Sequence, residues 1–584
     1  MTVLPRPLTL RAAERGLVIP PTQLRHGAVI AAALALWLTA LAGTDLDRIA
    51  GMGLIQAFPL TYFAAVGLLV LGFAFAVSRP SLDSRVLWLY VIALILVIHA
   101  TTALLYDEPR YPWTFKHLGV INSIAAHGDV DRMLDIYANW PGFFALGAWI
   151  GSVAGVEPIT WAAWSQVFFN VLWVLAGRFA LRGATSDART LWIATWLFVL
   201  ANWIGQDYLA PQALAMTLAL VVLGIAVRYA RVRADAPVTP GRPAVIIGGL
   251  CWIAIVVSHQ LTPVLLGLAI LALTIATRRI PLWVPIAMGL TELAWIAMAW
   301  PYLSEHIALF DSKPQSARPE GFDADNLLPG TKNVAYSARA SVAVIAGLAF
   351  AGFLHRMRAG RSEWALAALV IGPVLALGGQ SYGGEGVFRV YLLALPWLAL
   401  FAAAAVVPRP SATRRRHRVP WRLVLASGLL AALLLPAYFG LELVNRVTRD
   451  DVQAATWWEE NAPAGSLLTY VAPNFPNRLT ARYGDMVTPA ASFSPNLTDE
   501  PAFRGHMPGP EDAVNLRSFM ARLPAKHVYI VLSPSEENAA RLIGALPDGA
   551  MAALDRALNA DPAFELVYRR GRASIYELRE GGTP

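Results

Sequence analysis

Cysteine is almost absent from this 584-residue chain. The single cysteine, Cys251, lies inside an apolar stretch. One cysteine cannot form an intrachain disulfide, and it cannot build a cysteine-based metal site. An intrachain disulfide and a cysteine-based metal site are therefore both excluded.

Charged residues are also scarce, at 15% of the chain, and lysine is rarer still. The 47 basic residues are nearly all arginine, a bias that is typical of GC-rich, bacterial genomes. The arginines cluster in short loops between apolar stretches, so the net charge of +8 does not indicate a nucleic-acid-binding surface. The lysines are Lys116, Lys313, Lys332 and Lys526.

Apolar residues are abundant, at 56% of the chain, with a mean hydropathy of +0.50. They fall in blocks of about 20 residues, which is the length of a helix that crosses a bilayer. The sequence therefore predicts a polytopic α-helical membrane protein with about thirteen transmembrane helices. The basic and then apolar start resembles a signal anchor, which we expect to be retained as the first span. The spans are predicted near residues 27–43, 58–78, 86–106, 159–181, 190–205, 209–230, 243–258, 261–277, 281–303, 340–356, 364–379, 389–407 and 423–443.

Arginine-rich loops alternate strictly with acidic or mixed loops along these spans. Because cytoplasmic loops are enriched in Lys and Arg, we assign the arginine-rich set to the cytoplasm. An odd number of spans then places the N-terminus in the cytoplasm and the C-terminal domain outside. The arginine-rich segments are 6–25, 79–85, 178–189, 228–242, 278–279, 356–361 and 409–422.

Three regions follow from this pattern. Residues 1–85 form an N-terminal cytoplasmic segment with two accessory spans, 86–443 form a transmembrane core, and 444–584 form an extracytoplasmic α/β domain. In the first large outer loop, 107–158, the apolar stretch 141–153 is too short to span and is expected to lie at the interface. In the C-terminal domain we predict strands at 466–471, 527–532, 564–568 and 574–578, with helices at 455–460, 536–546 and 550–558.

The third span ends in Asp107-Glu108-Pro109-Arg110-Tyr111. An acidic pair at the mouth of a helix can supply a general base for an attacking hydroxyl. It can also hold a divalent cation through oxygen ligands. The structural alternative is that Asp-Glu-Pro simply ends a helix at the membrane interface.

This motif resembles the Asp-Glu-x-Arg-Tyr signature of the GT-C glycosyltransferase superfamily, especially the branch of the lipid A aminoarabinose transferase and the protein mannosyltransferases. The resemblance implies a fold with juxtamembrane helices in the first outer loop. It also implies a catalytic acid at Asp107 or Glu108. The acceptor hydroxyl is then expected to face Asp107.

Two further positions fit the same layout. Asp207 precedes a span in the next outer loop, where the resemblance implies a second acid that completes a metal site or orients the acceptor. The alternative is a solvated loop aspartate. His259 stands where relatives tend to have a Lys-Gly-Pro turn. It can donate a hydrogen bond to the donor phosphate, bind a metal or serve only the structure.

The segment Arg389-Val390-Tyr391, followed by Pro396, looks like the Arg-Tyr…Pro pattern of late spans in these transferases. There the arginine meets the lipid phosphate of the donor, which suits the fork geometry of guanidinium. The resemblance thus places the donor phosphate at Arg389. We take Tyr391, Arg110 and His259 as further candidates for binding this phosphate, although His259 departs from the pattern of the family. The alternative for Arg389 is an interface anchor that reaches the lipid headgroups.

Two ionisable residues lie inside predicted spans, His99 and Glu292. Such groups are costly in a bilayer and usually face a protein or aqueous interior. Each can relay a proton or serve helix packing, and we rank both below the loop residues.

The sequence therefore predicts an inverting glycosyltransferase. It would move a sugar from a polyprenyl-phosphate donor to an extracytoplasmic glycan, lipid or protein, within a multi-pass cell membrane protein that contacts membrane lipids and no nucleic acid. A divalent cation, Mg²⁺ or Mn²⁺, is an expected cofactor, with Asp107, Glu108, Asp207 and His259 as candidate ligands. The alternatives are a transporter or flippase of lipid-linked intermediates and an O-antigen polymerase or ligase. The donor sugar and the acceptor are not legible in the sequence.

Overall fold

The computed structural model describes residues 21–233, 240–306, 325–378, 385–408, 419–486 and 495–579. Helices dominate residues 21–439 of this part. Their bounds are α1 Pro21–Ala42, α2 Leu60–Val77, α3 Ser84–His99, α4 Thr101–Leu105, α5 Pro112–His127, α6 Ile136–Asn139, α7 Gly142–Ala154, α8 Pro158–Ala162, α9 Ser165–Arg182, α10 Ala188–Ala201, α11 Pro211–Tyr229, α12 Arg242–Val256, α13 Thr262–Thr277, α14 Trp283–His306, α15 Thr331–Arg358, α16 Trp364–Ile371, α17 Gly386–Val406 and α18 Trp421–Phe439.

Each of the predicted spans overlaps one or two of these helices, since the span at 86–106 covers α3 and α4 and the span at 159–181 covers α8 and α9. Within the described residues, 7 helices are long and apolar enough to cross a membrane, namely α1, α2, α11, α14, α15, α17 and α18. The helices α3, α10, α12, α13 and α16 are apolar but shorter. Outward-facing apolar side chains such as Leu250, Leu290 and Leu293 are more than half exposed, which suits lipid better than water. The prediction of a polytopic helical membrane protein is confirmed.

The loops sort into two ends of the helical bundle. At one end, Arg189 donates to the carbonyl of Arg79 at 2.7 Å, and Arg279 donates to the carbonyl of Arg231 at 2.9 Å. We call this the arginine-rich end. At the opposite end, His117 bonds the carbonyl of Leu209 at 2.7 Å. We call it the site end, and the side of the membrane that each end faces stays a prediction.

Helix α7 begins and ends at the site end. Its first amide, on Gly142, donates to the carbonyl of Val257 at the end of α12 at 2.9 Å. The helix packs on α5, where a β-carbon on Gly147 would come within 2.9 Å of the Ile121 side chain. The chain then reaches α9, whose Asn170 also belongs to the site end. This path is the one expected of an interfacial helix.

The last part of the chain forms a small α/β domain around a four-stranded sheet of order β1-β2-β4-β3. Strands β1 and β2 are parallel, whereas β4 is antiparallel to both β2 and β3. All four predicted strands and all three predicted helices are found, and the additional helix α21 packs against α23. The bounds are α19 Glu442–Asn445, α20 Arg449–Asn461, β1 Leu467–Tyr470, α21 Pro510–Met520, β2 Val528–Leu532, α22 Pro534–Leu542, α23 Ala550–Ala560, β3 Phe564–Arg570 and β4 Ala573–Leu578.

This domain sits on the first outer loop. Asn122 of α5 donates to the carbonyl of Leu479 at 2.8 Å. A β-carbon on Gly119 would come within 1.6 Å of the carbonyl oxygen of Arg478, so only glycine permits this close approach. The phenol of Tyr483 donates to Asp135 at 2.8 Å. The C-terminal domain and α5 therefore form a continuous structure beside the site end.

Candidate active site

The acidic pair follows directly on α4 and borders the C-terminal domain. The Asp107 side chain is 73% exposed, and its carboxylate lies 4.0 Å from the guanidinium of Arg449 at the start of α20. Glu108 is half-buried. Burial raises the pKa of Glu108, the Arg449 charge opposes this rise, and the Asp107 charge adds to it. The pair thus combines an accessible carboxylate with one whose pKa is shifted towards neutrality.

Arg110 lies in the same loop but is held by the protein. Its Nε donates to Oε1 of Glu442 at 2.7 Å, and its Nη2 donates to the same carboxylate and to the carbonyl of Tyr438. The guanidinium lies 4.5 Å from the ring centre of Tyr111 and 4.4 Å from that of Tyr438. Its charge is therefore already matched by a buried carboxylate, and its role at the donor phosphate stays a prediction.

The backbone of Tyr111 adopts a conformation that L-residues rarely take, with φ of 70°. Its amide donates to the carbonyl of Asn445 at 2.8 Å, which ties the loop to α19. Its ring lies 5.0 Å from that of Tyr208. A β-carbon on Gly205 would lie 2.2 Å from the Tyr111 hydroxyl, so glycine at position 205 makes room for this phenol.

Asp207 is completely buried, and the solvated-loop alternative is therefore wrong. Its Oδ2 lies 3.0 Å from Nδ1 of His99 and accepts from Asn170 at 2.7 Å and from Tyr438 at 3.1 Å. Burial alone would raise the pKa of Asp207, but the hydrogen bond and charge of His99 and the charge of Arg110 outweigh it and lower the pKa. The carboxylate is thus stabilised in its charged form by α3, α9 and α18.

Arg389 stands at the first turn of α17. Its Nη2 donates to Glu385 at 2.5 Å, its Nη1 donates to the side chain of Gln206, and its Nε has no hydrogen-bond partner within the described residues. The neighbouring Val387 and Phe388 expose their apolar side chains. The guanidinium is therefore placed beside a surface suited to lipid tails. The Tyr391 hydroxyl donates a hydrogen bond to the carbonyl of Ala201 at 2.8 Å.

His259 is buried between α12 and α13. Its Nδ1 accepts from the amides of Leu261 and Thr262 at 3.2 and 3.1 Å, which leaves the ring proton on Nε2. Burial lowers the pKa of His259 well below its usual value, and the charge of Arg389 lowers it further. The imidazole is therefore a neutral hydrogen-bond donor near Arg389. This state suits a hydrogen bond to a phosphate better than metal coordination.

Three consecutive residues of the loop between α10 and α11 connect these groups. Gln206 accepts from Arg389, and Asp207 bonds His99. The Tyr208 ring stacks on His117 at 5.6 Å and contacts Tyr111. This loop therefore links two parts of the site. Arg389 lies on one side of the Tyr111–Tyr208 pair, and the loop that carries Asp107 lies on the other.

The structure does not gather the four candidate metal ligands. Within the described part of the chain, no group of three or more His, Cys, Asp or Glu side chains is arranged to hold a metal ion. Nδ1 of His259 already accepts two amides. Metal dependence stays a prediction, and the acidic pair Asp107 and Glu108 supplies its remaining candidate ligands.

Several residues of this site were not predicted. Glu442 lies at the very end of the last predicted span, and its partner stands 332 positions earlier. No sequence motif singles out Tyr438, Gln206 or Tyr208. His99 was ranked low as an intramembrane group, yet its Nδ1 contacts Asp207. Its position inside an apolar helix, where a polar partner is obligatory, was the usable signal.

No protein-family model matches this chain, and no curated protein matches it in sequence. Among solved structures, it is similar to ArnT from Cupriavidus metallidurans bound to undecaprenyl phosphate, with 15% identity, a TM-score of 0.48, and coverage of 85% of this chain and 99% of that one. It is also similar to the Archaeoglobus fulgidus oligosaccharyltransferase, with 13% identity, a TM-score of 0.48, and coverage of 80% and 71%. A third similar structure is the arabinofuranosyltransferase AftD from Mycobacteria, with 16% identity, a TM-score of 0.45, and coverage of 85% and 42%.

Proposed function

We propose that this protein is a membrane glycosyltransferase that uses a polyprenyl-phosphate sugar as its donor. The observation that carries the proposal is the arrangement at the site end. A guanidinium whose Nε has no partner in the described part of the chain and a neutral imidazole lie beside lipid-facing side chains, and an acidic pair lies beyond the Tyr111–Tyr208 contact. This is the arrangement that a lipid-anchored phosphate donor and a hydroxyl acceptor require.

The donor half of the site is Arg389 with His259. Guanidinium and imidazole N–H groups both donate to phosphate oxygens, and hydrogen bonds to a charged acceptor are the strong ones. The exposed Val387 and Phe388 at the start of α17 would contact the polyprenyl chain. As the sugar leaves phosphate, negative charge grows on the phosphate oxygens, and both donors stabilise it.

The acceptor half is the acidic pair. A carboxylate of Asp107 or Glu108 takes the proton of the acceptor hydroxyl while the hydroxyl oxygen attacks the anomeric carbon. The bond between that carbon and the phosphate oxygen breaks, and its electron pair stays on polyprenyl phosphate. A single displacement inverts the anomeric centre. The raised pKa of Glu108 makes it the better matched base, and Asp107 is the more accessible one.

The direction of the chain in the membrane follows from its arginines. With the arginine-rich end in the cytoplasm, the site end and the C-terminal domain face outward. The acceptor would then be an extracytoplasmic glycan, lipid or protein. A divalent cation, if used, would be held by Asp107 and Glu108 and would assist the departing phosphate.

The test is transfer of radiolabelled sugar from polyprenyl-phosphate donors by the purified full-length protein in lipid nanodiscs. We expect whichever variant removes the base, Asp107→Asn or Glu108→Gln, to reduce transfer by about 100-fold or more, the range of general-base catalysis. Asp129→Asn, an exposed aspartate of the same loop, is the matched control and should leave transfer unchanged.

Two results would contradict the proposal. Transfer that survives in both acidic variants would remove the acidic pair from the chemistry and favour an O-antigen polymerase or ligase. Movement of the donor across the bilayer with no transfer would favour a flippase.

A further inference from the structure

A cavity lies between α5 and the C-terminal domain. Its volume is about 120 Å³, and its lining includes Trp113, Lys116, Phe475, Asn477 and Asn496. Ligand pockets for drug-sized molecules measure about 300–1,000 Å³. This cavity therefore has room for a single ring rather than for an extended chain.

The lining combines flat rings with amides. The Lys116 ammonium lies 5.4 Å from the centre of the Trp113 ring, and the side chain is still 45% exposed, which leaves part of the indole surface to a ligand. Tyr470 and Phe475 supply two further rings, 5.9 Å apart. Oδ1 of Asn496 is buried and has no hydrogen-bond partner within the described residues. A buried polar atom without a partner favours a ligand that supplies a hydroxyl.

The cavity has a charged edge. Lys116 lies 3.1 Å from Asp135, and Arg478 lies 3.9 Å from the same carboxylate. Two cations therefore share one carboxylate. Burial lowers the pKa of Lys116, the charge of Arg478 lowers it further, and the charge and hydrogen bond of Asp135 oppose this. These ions fix the position of α5 against the C-terminal domain and add hydrogen-bond donors to the rim.

We infer that this cavity binds one sugar ring of a carbohydrate acceptor. A pyranose or furanose has an apolar C–H face that packs on aromatic rings and a rim of hydroxyls that pairs with amides. The inference rests on the proposed function and narrows its acceptor to a glycan. The cavity begins at Pro112, four residues beyond Glu108, so it lies within about 14 Å of the acidic pair along the chain.

The first test measures binding alone. Saturation-transfer NMR is recorded on full-length protein in nanodiscs with methyl glycosides of glucose, galactose, mannose, arabinose and glucuronic acid. We expect at least one glycoside to bind the wild type, and its signal to fall about tenfold in Trp113→Ala. Trp113→Leu keeps apolar volume without the flat face and should also lose binding. Trp149→Ala, an exposed tryptophan of α7, should retain it.

The second test separates this inference from the proposed function. Trp113→Leu should raise the KM for a glycan acceptor about tenfold, with little change in kcat and unchanged hydrolysis of the donor. The inference is overturned if no glycoside binds the wild type, or if Trp113→Leu binds as the wild type does while donor hydrolysis persists. Binding of a peptide in place of every glycoside would also overturn it. Absence of any donor turnover would instead contradict the proposed function.

Discussion

Arg110 and Glu442 form a buried ion pair in which Nε lies 2.7 Å from Oε1 and neither side chain is more than 2% exposed. The hydroxyl of Tyr106 donates to the other carboxylate oxygen at 2.9 Å. The pair joins the loop of the acidic residues to α19, which leads into the C-terminal domain. The position of Asp107 and Glu108 therefore depends on a residue that follows the last helix of the bundle, 332 positions beyond Arg110 in the sequence.

Removal of one partner should destabilise the protein strongly. We expect Glu442→Ala to lower the free energy of unfolding by about 3–5 kcal/mol, because it leaves the Arg110 charge buried and unpaired. The measurement is thermal unfolding in detergent. Glu385→Ala is the matched control, since Glu385 pairs with Arg389 but is 49% exposed. The double variant Arg110→Met with Glu442→Leu should recover most of the loss, and equal melting of Glu442→Ala and the wild type would contradict the prediction.

Arg389 should be required as an arginine and not merely as a cation. Lysine keeps the charge but cannot hold Gln206 and Glu385 while it meets a phosphate. We expect Arg389→Lys to reduce kcat/KM for the donor about 10- to 100-fold, the value of one or two charged hydrogen bonds. Arg422→Lys, at the start of α18, is the control. Donor kinetics that are the same in both variants would remove Arg389 from the phosphate site.

Gly205 offers a test of the position of Tyr111. A methyl group at 205 would come within 2.2 Å of the phenol oxygen, and the ring must move because it is the free end of a side chain. We therefore expect Gly205→Ala to impair transfer at least about tenfold with a nearly unchanged melting temperature. Gly267→Ala, where nothing lies within 4 Å, should preserve transfer. A fully active Gly205→Ala would show that the tyrosine pair does not position the site.

The helical architecture was predictable because lipid imposes it. A bilayer requires about 20 apolar residues per crossing, and the chain repeats that length with arginines in alternate loops. The strands of the C-terminal domain were predictable for a similar reason, since each is a short β-rich run such as Val528–Leu532. Helix α21 was not predicted, although its buried Ala513, Leu516 and Met520 recur at helical spacing and its start is set by Gly509 and Asp512.

The site was predictable only where residues lie close in sequence. Asp107 and Glu108 could be recognised as adjacent carboxylates, and Arg389 could be recognised as a cation at the entrance of a span. The contact of Arg110 with Glu442 joins residues 332 positions apart, and that of His99 with Tyr438 joins residues 339 positions apart. Periodicity holds no information about such pairs. The burial of Asp207 likewise depends on Asn170 and Tyr438 from other helices.

The pH dependence of transfer should respond to Arg449. Burial raises the pKa of Glu108, and the Arg449 charge is the effect that opposes this rise. A general base must be ionised, so activity is lost as the pH falls through its pKa. Arg449→Ala removes the opposing charge, raises the pKa further and should move the acid limb of the kcat/KM profile to higher pH.

Arg449→Lys is the matched control for this shift, because it keeps the charge and should leave the acid limb in place. The exposed Arg522→Ala controls for loss of a surface arginine from the same domain. An acid limb that does not move in Arg449→Ala would contradict the assignment of Glu108 as the base.

Glu292 distinguishes a transferase from a transporter. It lies within α14 with a 6% exposed side chain, and neither carboxylate oxygen has a hydrogen-bond partner within the described residues. A buried carboxyl group of this kind costs stability, and membrane proteins retain such groups where they carry protons or ions. If the protein is a transferase whose chemistry lies at the site end, Glu292→Gln should leave transfer unchanged, and Glu292→Leu should stabilise the protein by about 1–3 kcal/mol in detergent unfolding. Loss of activity in Glu292→Gln, in a protein that melts like the wild type, would instead make this carboxyl group part of a proton pathway and favour the transporter.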